Sequence, residues 1–169
     1  MSAAKTLILN SIQINQKIDR LAYQVYENNA EEDNIVIAGI TGRGYILAKR
    51  IADRLRKISK IKVELVEVTV DKDNPLKQEI KLSTPVKNFK GKVVILVDDV
   101  LKSGKTLIYG LEPFLEIPLK RITTLVLVDR NHNRYPIKAD LVGLSMATTL
   151  QEHISVELDK EGKEAVYLM

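Results

Sequence analysis

Lys92 to Thr106 reads Lys-Val-Val-Ile-Leu-Val-Asp-Asp-Val-Leu-Lys-Ser-Gly-Lys-Thr, and the reading of this stretch decides the fold. Val93 to Val97 are apolar without a break and mostly β-branched, the pattern of a strand buried on both faces of a parallel sheet. Asp98 and Asp99 follow at the carboxyl end of that strand, the edge where open α/β sheets bind ligands. As acids opening a loop they are expected to be exposed and to contribute little to the core. Lys102, Ser103, Gly104, Lys105 and Thr106 form a polar turn leading into an amphipathic helix with Leu107, Leu111, Phe114 and Leu115 on one side. Backbone amides in such a turn suit a phosphate. Two carboxylates beside it would repel that phosphate unless sugar hydroxyls or a divalent cation lie between. The stretch therefore points to a sugar phosphate, its ribose on the acids and its phosphate on the turn.

Two other readings compete. Ser103-Gly104-Lys105-Thr106 looks like the end of a P-loop, but the first glycine of that motif falls on Asp99. Alternatively the two acids merely start a loop and cap the next helix.

Upstream, Asn34 to Ile40 reads as a second buried strand running into Gly39-Ile40-Thr41-Gly42-Arg43-Gly44. A helix with Leu47, Ala48, Ile51, Ala52 and Leu55 at helical spacing follows. This glycine turn lets amides approach an anion, and Arg43 adds a cation. Its spacing is not that of the dinucleotide fingerprint, and such turns are structural as often as they bind phosphate. Thr6 to Leu9 reads as a short strand. Ser11 is the expected N-cap of a helix to about Glu27 that buries Ile14, Ile18, Leu21, Ala22, Val25 and Tyr26. Ile61 to Val70 reads as a strand, and Asp71 to Ile80, broken by Pro75, as an exposed loop or hairpin.

Arg121 to Val128 reads as a further buried strand, delivering Asp129, Arg130, Asn131 and His132 to the same edge. The tail offers short strand-like pieces at Leu141–Gly143, Ser145–Thr149, Ile154–Leu158 and Ala165–Leu168, expected to cap the sheet edge. The whole is an α/β single domain, an open, mainly parallel twisted sheet flanked by helices.

The chain has 169 residues, 45% hydrophobic and 28% charged, with net charge +4. That charge is compatible with anionic ligands or RNA and demonstrates neither. With no cysteine there is no disulfide, thiolate nucleophile or cysteine zinc site. No apolar run reaches membrane-spanning length, and no signal-peptide core stands at the N-terminus, so a cytoplasmic protein without membrane association is expected.

The strand, acid pair and Ser-Gly turn of 93–106 resemble the signature of type I phosphoribosyltransferases, with Ser103 where Thr is commoner. The resemblance extends through Gly39-Ile40, Arg43-Gly44, Leu47 to Arg50, Val97 to Leu101, Leu127 to Arg130 and Pro136 to Asp140. These together are similar to the bacterial bifunctional pyrimidine operon attenuators and uracil phosphoribosyltransferases. The resemblance implies one phosphoribosyltransferase domain over 1–169 with a mobile hood at about 70–84, although an ordinary surface hairpin reads equally well there. It implies transfer of ribose 5-phosphate from phosphoribosyl pyrophosphate (PRPP) to uracil, giving UMP and pyrophosphate with Mg2+. Asp98 and Asp99 would hold the ribose, Lys102 to Thr106 the 5-phosphate, and Thr41, Gly42, Arg43 and Gly44 the pyrophosphate. Arg130 would sit near the base or pyrophosphate, or else pack the loop through an ion pair. Purine enzymes of the family carry an acid where Lys102 stands, which disfavours a 6-oxopurine.

The resemblance also implies a homo-oligomer, a dimer or higher, and an alternative function: a UMP- or PRPP-sensing mRNA-binding attenuator contacting RNA through His132 and Lys138. Departures from the pattern are Thr41-Gly42 for Lys-Thr, a shorter hood with Asp71 to Asn74 for Tyr-Arg-Asp-Asp, and Asn131 for a glycine. On the RNA side, Asp19, Tyr23 and Leu144 stand for Thr, His and Lys.

Overall fold

Strands and helices alternate along the chain in the computed structural model, which describes residues 4–169. The order is β1 (Thr6–Leu9), α1 (Ser11–Asn28), β2 (Asn34–Ile40), α2 (Arg43–Ile58), β3 (Lys62–Thr69) and β4 (Lys81–Leu82). Then come β5 (Val93–Leu101), α3 (Lys105–Leu111), β6 (Arg121–Asp129), β7 (Leu141–Ser145), β8 (Ile154–Glu157) and β9 (Ala165–Leu168). The main sheet runs β4-β3-β2-β5-β6-β7, and β1-β9-β8 form a small second sheet. Every pairing in the main sheet is parallel except β3 with β4. This is the open, mainly parallel α/β sheet that the strand–turn–helix units imply.

Side-chain alternation along the strands splits the core in two. Ile35 and Ile37 of β2, with Val93, Ile95 and Val97 of β5, pack with α1, α2 and the small sheet. Val36, Ala38 and Ile40, with Val94 and Leu96, face Leu107, Phe89 and Phe114 on the other side. The apolar runs of β2 and β5 are needed because both faces of the sheet are covered.

Several expectations need correction. The N-cap of α1 is Asn10, not Ser11. The Asn10 side chain accepts from the Gln13 amide at 2.9 Å, and the Gln13 side chain accepts from the Asn10 amide at 2.9 Å. The Ser11 hydroxyl instead donates to Glu164. Tyr26 packs at the core margin, only partly buried. The helix after the central turn ends at Leu111 and tightens into a 3-10 turn over Glu112–Glu116. Pro113 has no N–H for the α-helical bond, so the register shifts. Phe114 is buried against Phe89, with ring centroids 6.2 Å apart, while Leu115 is exposed. In the tail, β7 joins the main sheet parallel to β6 and is not part of the cap. Only Ser145 of 145–149 is in a strand, and the cap is made by β8 and β9 with β1.

A polar knot ties the small sheet to α1 and α2. Glu164 accepts from Ser11 of α1 and from Arg50 of α2, the latter at 2.5 Å, and Arg50 also donates to the Leu158 carbonyl at 2.7 Å. Burial alone would raise the carboxyl pKa. The hydroxyl of Ser11, the backbone amide of Glu164 itself, the Arg50 guanidinium and the Gly162 amide together outweigh it and hold the pKa at about 2.

Candidate active site

Three loops meet at the carboxyl edge of the main sheet and enclose a cavity of about 450 Å³. Its wall includes Arg43 from the start of α2, Asp98 and Asp99 from β5, and the whole turn Lys102 to Thr106. Of the first glycine turn, Arg43 alone reaches the cavity that holds the acid pair and the second turn. Lys72 and Asp73 enter from the 71–80 loop, and Ile154 and Val156 of the small sheet supply an apolar wall. Arg43, Lys72, Lys102 and Lys105 face Asp73, Asp98 and Asp99, a mixed field suited to a ligand with anionic ends and a polar middle.

The acid pair differs from the expected exposed loop acids. The strand β5 continues to Leu101, which places Asp98 inside the sheet at 4% exposure. Asp98 Oδ1 accepts from the Asp99 amide at 2.9 Å. Burial first, and then the adjacent Asp99 charge, push the Asp98 carboxyl up to about 8, with Lys72 opposing them. Lys72 Nζ lies 3.5 Å from Asp98 Oδ1 and 3.9 Å from Asp99 Oδ1.

Gly44 is what allows α2 to approach these acids. A Cβ there would sit 2.8 Å from Asp98 Oδ1 and 3.1 Å from both Asp98 Cα and the Val97 carbonyl oxygen. Gly44→Ala is therefore expected to force the helix off β5 and to cost about 1–3 kcal/mol. Urea unfolding measures this, and an unchanged midpoint would contradict the close approach.

The second turn is shaped by Gly104, whose φ of +87° is left-handed and whose added Cβ would meet Ile137 Cγ2 at 2.6 Å. The Ser103 hydroxyl accepts from the Lys105 amide at 3.2 Å, and the Ser103 carbonyl accepts from the amides of Arg134 and Tyr135 at 2.8 and 3.0 Å. The turn is thus held from outside, with Lys102 to Thr106 facing the cavity.

Other sequence-derived candidates lie elsewhere. Thr41 directs its hydroxyl to the Val68 carbonyl at 3.0 Å, and neither it nor Gly42 nor Gly44 is in the cavity wall. Arg130 is buried and outside that wall. It holds the following loop by hydrogen bonds to the Thr148 hydroxyl at 2.9 Å and the Thr149 carbonyl at 3.1 Å, not through an ion pair. His132 Nε2 contacts the Thr148 carbonyl, and Lys138 is exposed. Asn131 has φ 57°, a left-handed conformation that asparagine tolerates, which explains how it stands for a glycine.

Sequence reasoning missed Lys72. Its available signal was Asp71, whose carboxylate accepts from the amides of Asp73 and Asn74, both at 3.1 Å, in a turn that aims Lys72 inward. No cluster of three or more His, Cys, Asp or Glu able to hold a metal is found among the described residues.

Comparison with known proteins agrees with this geometry. The family model for the phosphoribosyl transferase domain matches residues 6–161. The bifunctional protein PyrR of Fusobacterium nucleatum subsp. nucleatum is 36% identical over 178 aligned residues, covering 100% of both chains. That of Ligilactobacillus salivarius is 35% identical, covering 95% of this chain and 96% of the relative. Among solved structures, hypoxanthine phosphoribosyltransferase of Trypanosoma cruzi superposes with a TM-score of 0.76 at 16% identity, over 96% of this chain and 95% of that one, a likeness of fold. From its signature strand, its fold and these full-length relatives, the chain belongs to the type I phosphoribosyltransferase family and within it is similar to the bifunctional PyrR proteins.

Proposed function

We propose that the protein transfers ribose 5-phosphate from PRPP to uracil, giving UMP and pyrophosphate. The observation that carries this reading is the shared cavity, with a paired-acid strand end between Arg43 and the turn 102–106. In it the turn amides and the Ser103 and Thr106 hydroxyls take the 5-phosphate, and Arg43 takes charge from the pyrophosphate. Asp98 and Asp99 hold the ribose hydroxyls and lie beside the anomeric carbon, where positive charge develops as the carbon–oxygen bond to pyrophosphate breaks. The leaving group departs with the bonding pair, a ring nitrogen of uracil forms the new bond, and the proton that nitrogen carried passes to the departing pyrophosphate. The loop 71–80, part of a hood at about 70–84, keeps water from the ribosyl cation.

The donor set fits Mg2+ carried in by the substrate more than an ion caged by protein. Asp98 and Asp99 are the acids available at the ribose position, and no third metal-type side chain joins them among the described residues. Mg2+ bound to the pyrophosphate and ribose would supply charge stabilisation of the leaving group.

Lys102 supports uracil over a purine, since it stands in the cavity wall where purine enzymes of the family carry an acid. Pyrophosphate release with PRPP, Mg2+ and each nucleobase tests the reading, with turnover expected on uracil. Turnover on hypoxanthine instead would overturn the base, and none on any base would overturn the transfer.

The full-length likeness to proteins named bifunctional supports a second role as a UMP- or PRPP-sensing, mRNA-binding attenuator. The face of α1 speaks against it: Asp19 pairs with Arg54, which also donates to Asn15 at 2.7 Å, so this cation is spent within the protein. His132 is likewise engaged with the Thr148 carbonyl, leaving Lys138 as the free member of that pair of RNA candidates. The reading carries with it a cytoplasmic homo-oligomer. No helix among the described residues is long and apolar enough to cross a membrane.

A further inference from the structure

Lys72 reaches the acid pair from a loop that is itself pinned in place. Its ammonium bridges the two carboxylates at 3.5 and 3.9 Å. The carboxylate of Asp71 shapes the turn behind it, and Lys105 Nζ donates to the Asp73 carbonyl at 3.5 Å. The Lys77 amide closes the next turn on the Asn74 carbonyl at 3.0 Å. Two adjacent carboxyls, one of them nearly solvent-free, share negative charge that favours a positive neighbour, and Lys72 provides it.

We propose that Lys72 is a tethered competitor of the substrate's cation, an ammonium that occupies the place of that cation beside the acids and leaves only when a ligand brings positive charge of its own. This rests on the transferase reading above. A ligand offering neutral hydroxyls alone leaves Lys72 in place, because its departure would leave the acids uncompensated. A PRPP–Mg2+ complex replaces the lost charge. Lys72 therefore distinguishes the metal-bearing diphosphate substrate, which displaces it, from the nucleoside monophosphate product, which does not, and its departure frees loop 71–80 to close again over the bound substrate.

The test uses the full chain with Lys72→Gln, with Lys72→Arg as the charge-retaining control. Calorimetric titration is made with PRPP plus Mg2+ without nucleobase and, separately, with UMP. Amide hydrogen exchange is followed across 71–80 in the ligand-free proteins. For Lys72→Gln, the dissociation constant of PRPP–Mg2+ is expected to fall roughly fivefold while that of UMP stays within about twofold. Exchange across 71–80 should quicken, and Lys72→Arg should resemble the native protein in both respects. Weaker or unchanged PRPP binding in Lys72→Gln would overturn the proposal, since a weaker complex makes Lys72 a clamp on pyrophosphate. Equal tightening of UMP would overturn the discrimination. If the native protein does not bind PRPP at all, the transferase reading is what fails. The exchange arm then decides whether Lys72 anchors the loop: quicker exchange supports the anchor and unchanged exchange refutes it.

Discussion

Asp98→Asn combined with Asp99→Asn is expected to lower uracil transfer on the order of a thousandfold, because the two carboxyls facing the developing ribosyl cation, and the negative charge they share, are removed together. The same double variant is expected to remain folded, for a reason opposite to that suggested by loop acids. Asp98 is buried, and its carboxyl is pushed up to about 8 from 3.8, so the folded protein holds a proton there that the unfolded chain has given up. Stability from this group is fully present below about pH 4 and is lost as pH rises through about 8. Asparagine has no charge to desolvate, and its side-chain oxygen can still accept the Asp99 amide. The double variant should therefore gain in Tm, by on the order of 5–10 °C, when measured at pH 9 relative to the native protein, with the gain absent near pH 4. Pyrophosphate release and scanning calorimetry check the two halves. Undiminished release would remove the acids from the proposed chemistry, and a Tm loss at pH 9 would contradict the electrostatic account of Asp98.

Glu164→Ala is expected to be the most destabilising single change in the small-sheet region. It leaves Arg50, whose side chain is only 16% exposed, without its carboxylate and strands the Ser11 hydroxyl. Breaking such a pair costs about 3–5 kcal/mol, a Tm decrease of roughly 10 °C for a domain of this size. The pH dependence has the opposite sign to that of Asp98. The folded pKa of Glu164 is about 2 against 4.5, so its contribution is present above about pH 4.5 and is lost as pH falls toward 2. The Tm gap between native and variant protein should accordingly narrow on acidification. A gap that stays constant from pH 7 to pH 3 would show that lost packing, not the ion pair, carries the effect.

What could be read from the sequence was governed by distance along the chain. β2, β5 and β6 were legible because burial on both faces demands unbroken branched residues, and α1 and α2 because one apolar stripe repeats at helical spacing. The acid pair and the turn at 102–106 were legible for the same local reason. Asn10 and Ser11 are both good caps, and the choice between them was made by Gln13 nearby and by Glu164 at the other end of the chain. The burial of Asp98 depends on β5 running on to Leu101, and Lys72 on a loop whose direction is set by Asp71. The edge position of β7 comes from its pairing with β6, and a short run such as Leu141-Val-Gly cannot announce its partner. Arg130 sits in the right loop, yet its guanidinium is turned into Thr148 and Thr149, residues too distant in sequence for motif reading to connect.

The pairing of β1 with β9 sets a temporal order on the molecule. Thr6 faces Leu168 and Leu7 faces Tyr167, so this ladder closes a loop spanning almost all the described residues, and such closures come late in folding. The main sheet and its acids can therefore be assembled while the three-stranded cap is still open. A ribosome that has not yet made β9 would leave β1 and β8 without their shared partner, a natural point for a chaperone to engage.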